Sequence, residues 1–219
     1  MSRRFDSLLS DLADVELGDR ACNQFSRVSG ELAENAVRRR NLRLYLEQMA
    51  EIGPRMLLIG EAVSYRGGRL TGIAFVSETV MLAGVDTRSG RILGAEHGYL
   101  KATSGPKLST EASATMVWGT IRDIAPLPLL WNAFPFHPFT PGNPLSNRAP
   151  SAAELLIGER FIARLMRLFA FERVVAIGNS ASLSLRQMNV EHTLVRHPSM
   201  GGKNLFVEGM ARLSQSSKA

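Results

Sequence analysis

Four short apolar segments alternate with amphipathic ones along this chain, and that alternation constrains the fold more than any other feature. The four segments are apolar at nearly every position, which is typical of strands buried on both faces of a parallel sheet. Each ends in glycine or polar residues: RMLLIGEA (55–62), PLPLLWNAF (126–134), RVVAIGN (173–179) and HTLVRHP (192–198).

Helices are predicted between and after these strands, over 111–124, 151–171, 180–188 and 202–215. The second of them opens with a capping box, because Ser151 precedes Glu154 by three positions. Strands that alternate with helices indicate an α/β fold. We therefore predict a three-layer α/β/α arrangement around a central four-stranded, mainly parallel sheet.

The N-terminal region is predicted to be helical over residues 5–50, where apolar residues recur at helical spacing. No linker rich in proline, glycine or serine separates two complete patterns. The 219 residues are 45% hydrophobic, which suffices for one buried core. We expect a single domain, with N-terminal helices in residues 1–54 and an α/β core in residues 55–215.

The net charge is +6 and the isoelectric point is about 10.1, a basic excess that suits a polyanion such as nucleic acid or a membrane surface. The single cysteine, Cys22, excludes an intrachain disulfide and a multi-cysteine metal cluster. The sequence shows no secretory signal and no apolar run of about 18 residues. We expect a monomeric cytoplasmic protein without a membrane span. The arginines near residue 40 are more typical of a solvated helix face than of a binding one.

In sheets of this kind, ligands bind in the loops at the carboxyl ends of the strands. The loop after the first strand, GEAVSYRGGRLTGIAF (60–75), is rich in glycine and carries two arginines. Glycines let a backbone approach a ligand closely, and arginines donate to phosphates. The loop has neither the Gly-Lys-Ser/Thr ending of a P-loop nor a GxGxxG turn. It fits a ligand-binding segment and an ordinary surface loop equally well.

Two further loops follow strands. Asn132 stands where the second strand ends, and its amide could pair with the edge of a pyrimidine or could cap the loop. His197 ends the fourth strand and opens HPSMGGKN (197–204), where backbone amides and Lys203 could meet a phosphate at a helix start. Taken singly, a loop cap and an ordinary turn are the simpler explanations.

Taken together, these segments resemble the uracil-DNA glycosylase superfamily. That family has a Gly-Glu-Ala-Pro or Gly-Gln-Asp-Pro motif after its first core strand, then an aromatic residue in a Gly-x-x-Phe-x-Ser context. An asparagine closes a middle strand, and a His-Pro-Ser loop follows the last strand. This chain has GEAVSYRGGRLTGIAFVSE, LLWNAFPFHP and RHPSMGG in that order across residues 60–202.

The resemblance implies that the protein flips uracil out of single- or double-stranded DNA and removes it without a cofactor. It implies that Phe75 stacks on the base, that Asn132 reads its hydrogen-bonding edge, and that His197 stabilises negative charge on the departing base. Glu61 would orient the attacking water or stabilise the sugar cation. Tyr65 and Ala62 would border the base. The DNA strand would contact Ser64, Arg66, Arg69, Ser199, Met200, Gly201, Lys203 and Asn204.

The sequence departs from the family pattern in its first motif. Ala62 stands where several branches have an aspartate or asparagine that positions the water, and Val63 replaces the usual proline. The four cysteines that bind an iron–sulfur cluster in one branch are missing, so no metal cluster is expected. Glu61 is the first candidate for handling the water, with Asn132 or a water held by the backbone as the alternative.

Two details of the site stay open at this level. The pocket wall against a 5-methyl group is expected near Tyr65 or Val63. Met200 or Leu205 is expected to fill the gap that a flipped base leaves in the stack, because apolar side chains serve as such wedges.

Three functions are compatible with the pattern. The first is hydrolytic excision of uracil from DNA. The second is binding of damaged or abasic DNA by a protein of the same fold that does not cleave, and Ala62 keeps this hypothesis open. The third is hydrolysis of free nucleosides or nucleotides, which the basic charge disfavours.

Overall fold

The centre of the molecule is a four-stranded sheet. The structure, a computed structural model, describes residues 3–215 and the side chains of residues 3–213. The strands of the sheet run parallel in the order β5-β2-β7-β8. This arrangement confirms the predicted α/β class. The four strands are β2 (Met56–Ala62), β5 (Leu129–Phe134), β7 (Arg173–Ile177) and β8 (Thr193–Val195).

Helices flank this sheet. On one side α6 (Ala152–Leu168) and α7 (Asn179–Gln187) pack on each other and on β5 and β2. Elsewhere α8 (Lys203–Gln215) packs on β8 and on α5 (Ala112–Ile121). The predicted capping box is present in α6, where the Ser151 hydroxyl accepts from the Glu154 N–H and the Glu154 carboxylate accepts from the Ser151 N–H. The four predicted core helices are thus all present.

The prediction of helix throughout residues 5–50 is wrong in the middle of that range. Helix α1 (Asp6–Ala13) ends early, and α2 (Leu32–Ile52) begins only after a long irregular segment. The side-chain amide of Asn23 donates to two carbonyls at and just beyond the end of α1, at 2.9 and 2.8 Å. These are groups that a further helical turn would have bonded, so Asn23 favours a chain reversal over continued helix.

Helix α2 covers the free edge of the sheet. The backbone N–H of Leu130 in β5 points away from β2 and donates to the hydroxyl of Tyr45 at 2.8 Å. Because Tyr45 is fully buried, burial raises the pKa of its hydroxyl. The Tyr45 hydroxyl thus provides an acceptor for an N–H on the edge strand that would otherwise have no hydrogen-bond partner. The N-terminal helices share one hydrophobic core with the sheet.

The arginines of α2 are only partly solvated, contrary to expectation. The Arg38 side chain is 1% exposed and pairs with Glu31 at 2.7 Å. It also donates to the Asn35 side chain at 2.7 Å and to the Leu70 carbonyl at 3.3 Å. Arg38 therefore ties α2 to the glycine-rich loop that follows β2.

Several short elements lie between the main ones. Helix α4 (Glu78–Ala83) begins after Ser77, whose side-chain hydroxyl accepts from the Val80 N–H. The sequence did not indicate the other short elements: β1 (Ala21–Cys22) paired with β6 (His137–Pro138), helix α3 (Gly68–Thr71), the hairpin of β3 (Val85–Thr87) and β4 (Gly90–Ile92), and 3₁₀ turns at Arg3–Phe5 and Ala95–His97. Within residues 3–215, no helix is long and apolar enough to cross a membrane.

Candidate active site

A pocket of about 220 Å³ opens at the carboxyl edge of the sheet, where the loops after β2, β5 and β8 converge. Larger surface grooves exist elsewhere, but this smaller pocket brings together the aromatic, amide and imidazole groups singled out from the sequence. Its lining residues are Glu61, Ala62, Val63, Ser64, Gly68, Phe75, Glu111, Ser113, Asn132, Asn147, Arg148, His197 and Ser199.

Asn132 forms the floor of the pocket. It is 2% exposed and lies in β5 directly opposite Gly60 of β2. Its side-chain amide has no hydrogen-bond partner in the described part of the chain. Buried polar groups are nearly always paired, so an unpaired amide at the bottom of a pocket is available to a ligand.

The ring of Phe75 lies beside that amide, above Gly60. A Cβ atom on Gly60 would stand 2.3 Å from Cζ of Phe75 and 2.6 Å from Oδ1 of Asn132. Both side chains therefore occupy the space that any side chain at position 60 would need, which is why the backbone must be glycine here.

Phe75 is held in an unfavourable backbone conformation. Its φ is 55°, a region that costs a non-glycine residue about 1–2 kcal/mol. The indole N–H of Trp118 donates to the Phe75 carbonyl at 3.0 Å, and the Thr71 hydroxyl donates to the Val76 carbonyl at 2.8 Å. Such strain concentrates at functional sites, and here it presents the ring to the pocket.

His197 completes the second wall, with its ring centroid 6.2 Å from that of Phe75. Its Nδ1 lies 3.1 Å from the backbone N–H of Ser199 and 2.7 Å from the Ser199 hydroxyl. A backbone N–H can only donate, so Nδ1 accepts and the neutral ring carries its proton on Nε2. Burial lowers the pKa of His197, against an opposing effect of the nearby Glu61 carboxylate. The ring is thus set up as a neutral Nε2–H donor that faces the pocket.

Glu61 lies at the base of the site. Its carboxylate accepts a hydrogen bond from the hydroxyl of Ser180, on the first turn of α7. Ala62 follows it into the pocket lining, so the structure brings Glu61, Ala62, Phe75, Asn132 and His197 together. Among the described residues, no group of three or more His, Cys, Asp or Glu side chains is arranged to hold a metal ion.

Residues of the loop after β2, which were predicted to contact the base or the DNA, lie in two different places. Val63 and Ser64 line the pocket, whereas Tyr65 and Arg66 line a neighbouring groove. The structure therefore does not bring Tyr65 to the expected base position. Nor is the Arg69 guanidinium free for a phosphate, because its side chain is 16% exposed and pairs with Glu31 at 3.5 Å.

The loop after His197 forms a tight turn on the surface. The Gly202 N–H donates to the Ser199 carbonyl at 3.0 Å, and the two residues between them, Met200 and Gly201, have φ values of 51° and 75°. This geometry leaves Met200 91% exposed at the tip. Lys203 and Asn204 are also exposed, at the start of α8.

Sequence reasoning missed Glu111, which immediately precedes α5. Its carboxyl lies against Gly67 beside the Ser64 hydroxyl, and burial raises the pKa of Glu111 against an opposing effect of that hydroxyl. A Cβ atom on Gly67 would stand 1.9 Å from a Glu111 oxygen, so the glycine makes room for the carboxyl. The chain offers no local signal for this pairing, because the partners come from separate elements.

Arg148 also lines the pocket but is a structural residue. Its guanidinium forms a two-pronged ion pair with Glu154 and donates to the backbone carbonyls of Arg20, Phe139 and Ala149. These contacts use all of its N–H donors. Its charge therefore holds the proline-rich loop of residues 135–150 in place rather than binding a ligand.

The sequence matches no protein-family model and no curated protein. Among solved structures, the chain is similar to wild-type SMUG2 of Pedobacter heparinus, with a TM-score of 0.64 and 14% identity over 99% of both chains. A likeness at this identity concerns the fold. The chain therefore has a uracil-DNA glycosylase-like α/β fold, with a four-stranded parallel sheet flanked by helices.

Proposed function

We propose that this protein is a DNA glycosylase that removes uracil by hydrolysing its N-glycosidic bond and leaves an abasic site. The observation that carries the proposal is the amide of Asn132, 2% exposed and unpaired within the described part of the chain, which lies beside the Phe75 ring in a pocket bordered by His197. A planar base with adjacent donor and acceptor groups is the ligand that such a floor and wall would bind.

Recognition would begin with extrusion of the nucleotide from the stack, which costs a few kcal/mol. Stacking on Phe75 would recover about 1–3 kcal/mol per base. The Asn132 amide offers a donor and an acceptor, which match the C4 carbonyl and the N3–H of uracil. Cytosine presents the reverse pattern, with an acceptor at N3 and a donor at N4, so an amide oriented for uracil does not match it.

Bond cleavage would rest on His197. The bond between N1 and C1′ breaks, its electron pair leaves with the base, and negative charge develops on the O2 carbonyl oxygen. A positioned Nε2–H donor stabilises that charge most where water is excluded, an effect worth roughly 10²–10³-fold in rate for one such donor. Water then adds to C1′ and releases a proton. Glu61 lines the same pocket, its charge acts on His197, and it remains our candidate for stabilising the sugar cation or orienting that water.

DNA would lie across the rim of the pocket. The net charge of +6 favours a polyanion. Exposed Arg66 and Lys203 stand on the two loops that border the pocket, and exposed Met200 at the tip of its turn is suited to enter the gap left by the flipped base.

The test is excision from oligonucleotides that contain one uracil, in single- and double-stranded form, with alkaline cleavage to detect the abasic product. We expect the wild type to release uracil and each of Asn132→Ala, His197→Ala and Phe75→Ala to lose roughly 10²-fold or more. His97→Ala is the matched control, because that ring bonds Gln48 and Leu93 outside the pocket. Absence of uracil release from both substrates would refute the proposal.

A second candidate is a protein that binds damaged or abasic DNA without cleaving it. Ala62 favours it, because this pocket position carries no group to hold the water. Tight binding to uracil-containing or abasic DNA, together with no turnover in an assay where another glycosylase works, would support this alternative.

A further inference from the structure

The turn between β7 and α7 meets the end of β2 at the edge of the sheet. Strands β2 and β7 are neighbours, and Ile59 pairs with Ala176, so the two strands end side by side. Glu61 stands near the end of β2, and Ser180 is the second residue of α7. The two side chains come together because parallel strands end at one common edge.

This turn contacts both the carboxylate of the site and the segment that carries its imidazole. The Ser180 hydroxyl donates to Oε1 of Glu61. On the other side, the Gly178 N–H donates to the Val195 carbonyl at 2.9 Å. A Cβ atom on Gly178 would stand 3.5 Å from Cβ of His197. The turn therefore lies between Glu61 and His197 and supports both.

Helix α7 is a rigid support for the hydroxyl. Ala181 and Leu185 are fully buried, and the helix packs on β2 and β7. The Ser182 N–H donates to the Gly178 carbonyl at 3.2 Å, which closes the first turn. Groups carried by packed helices are held more precisely than groups on loops, so a carboxylate bonded to Ser180 is held in one place.

The hydrogen bond from Ser180 uses one oxygen of Glu61 and leaves the other available. Within residues 3–213, Oε2 of Glu61 has no hydrogen-bond partner. Glu61 lines the base pocket, whereas Ser180 does not. A carboxylate held by one oxygen can direct the other toward a water or a sugar. Ser180 would thus act on the reaction through Glu61 alone.

We propose that Ser180 is a positioning residue, which holds the Glu61 carboxylate beside His197 and directs its free oxygen toward the sugar of the bound nucleotide. This inference rests on the proposed function, in which Glu61 stabilises the sugar cation or orients the water. Because the hydroxyl contacts the carboxylate and not the base, its loss should slow bond cleavage without weakening binding of the substrate. Displacement of a reacting group by about 1 Å can cost about 10²-fold in rate.

The experiment measures kcat and KM for uracil release from a single-stranded oligonucleotide. Ser180→Ala should lower kcat roughly 10- to 100-fold and leave KM within about twofold of the wild type. Ser180→Thr keeps a hydroxyl donor and should retain kcat within about threefold. Ser182→Ala is the matched control on the same helix, because that hydroxyl pairs with Nε2 of His192 at 2.8 Å, outside the pocket. It should leave kcat unchanged.

A double-mutant cycle separates positioning from a general effect on the fold. In a Glu61→Ala background there is no carboxylate to position, so Ser180→Ala should cost less than about twofold more. Three results would overturn the inference while uracil excision stands: a loss of similar size in both backgrounds, an unchanged kcat in Ser180→Ala, or a rise in KM alone.

The pKa of His197, measured by NMR, gives a readout that needs no catalysis. Burial lowers that pKa, the charge of Glu61 raises it, and Arg196 lowers it further. If Ser180 holds the carboxylate in place, Ser180→Ala should lower the pKa of His197, as Glu61→Ala should, and Ser182→Ala should not change it. Should the wild type release no uracil, the proposed function fails and this measurement decides the inference. A pKa of His197 that is unchanged in Ser180→Ala would overturn it.

Discussion

Replacement of Asn132 by leucine should strongly reduce uracil excision while leaving the fold as stable as before. The two side chains have the same number of heavy atoms and the same branching at Cγ. The Asn132 amide has no partner in the described part of the protein, so its removal orphans no group of the free protein. The free-energy cost of losing the amide should appear only when a base enters the pocket.

The magnitude follows from the groups left unpaired on the base. Loss of the amide leaves the N3–H and the O4 of uracil buried without partners, at about 1–3 kcal/mol each. The sum of about 2–6 kcal/mol corresponds to a loss of kcat/KM of roughly 30-fold to 10⁴-fold. The melting temperature should stay within about 3 °C of the wild type or rise, because a change of 1 kcal/mol shifts a chain of this size by about 2–4 °C.

Asn41→Leu provides the matched control. Asn41 is equally buried, but its amide donates to the carbonyls of Leu100 and Thr71 at 2.8 and 3.3 Å and accepts from the Leu100 N–H at 3.1 Å. Its loss orphans three backbone groups, so we expect a fall in melting temperature of roughly 10 °C or more. Activity per folded molecule should be unchanged.

The assay is single-turnover release of uracil, paired with thermal unfolding of each variant. The reasoning is refuted if Asn132→Leu melts as low as Asn41→Leu, since the amide would then have a structural partner. It is equally refuted if Asn132→Leu retains full excision, since the amide would then not read the base.

Three other perturbations test the site. Gly60→Ala should lower excision by roughly 10²-fold or more, because its Cβ would displace Phe75 and the Asn132 amide; Gly119→Ala, where nothing lies within 4 Å, should have no effect. Met200→Ala should lower excision from duplex DNA roughly tenfold more than from single strands, and equal losses would argue against a wedge. Because burial lowers the pKa of His197 below 6.5, kcat/KM measured against pH should hold down to about pH 6.5 and fall only through the lower folded-state pKa. Because the pKa of His197 is lower in the folded protein, the unfolded chain binds this proton first as the pH falls. The stability contributed by neutral His197 is therefore complete above about pH 6.5 and declines below it. A fall of kcat/KM on the acid side that is centred at or above pH 6.5 would contradict this account.

The sequence by itself determined the order and type of the main elements. Continuous apolar runs read correctly as the buried parallel strands β2, β5 and β7, whereas β8 is an edge strand with Thr193 and Leu194 exposed. Helical periodicity with the Ser151–Glu154 capping box read correctly as α6. These signals are local, because a strand buried on both faces must be apolar throughout and a helix terminus must satisfy its own orphan donors. The candidate residues after the strands could also be named, since parallel strands end at one common edge.

Only the tertiary structure decided which of those residues share a pocket. Tyr65 lines a neighbouring groove and Arg69 pairs with Glu31. Glu111, which immediately precedes α5, lies beside Ser64 in the pocket. The early end of α1 likewise depended on Asn23, whose side chain competes for backbone carbonyls. The sequence does not reveal that Asn132 lacks a partner among residues 3–213, because pairing depends on every atom that surrounds a side chain. Local patterns set the elements, whereas the chemistry of the pocket emerged from contacts between segments far apart in the chain.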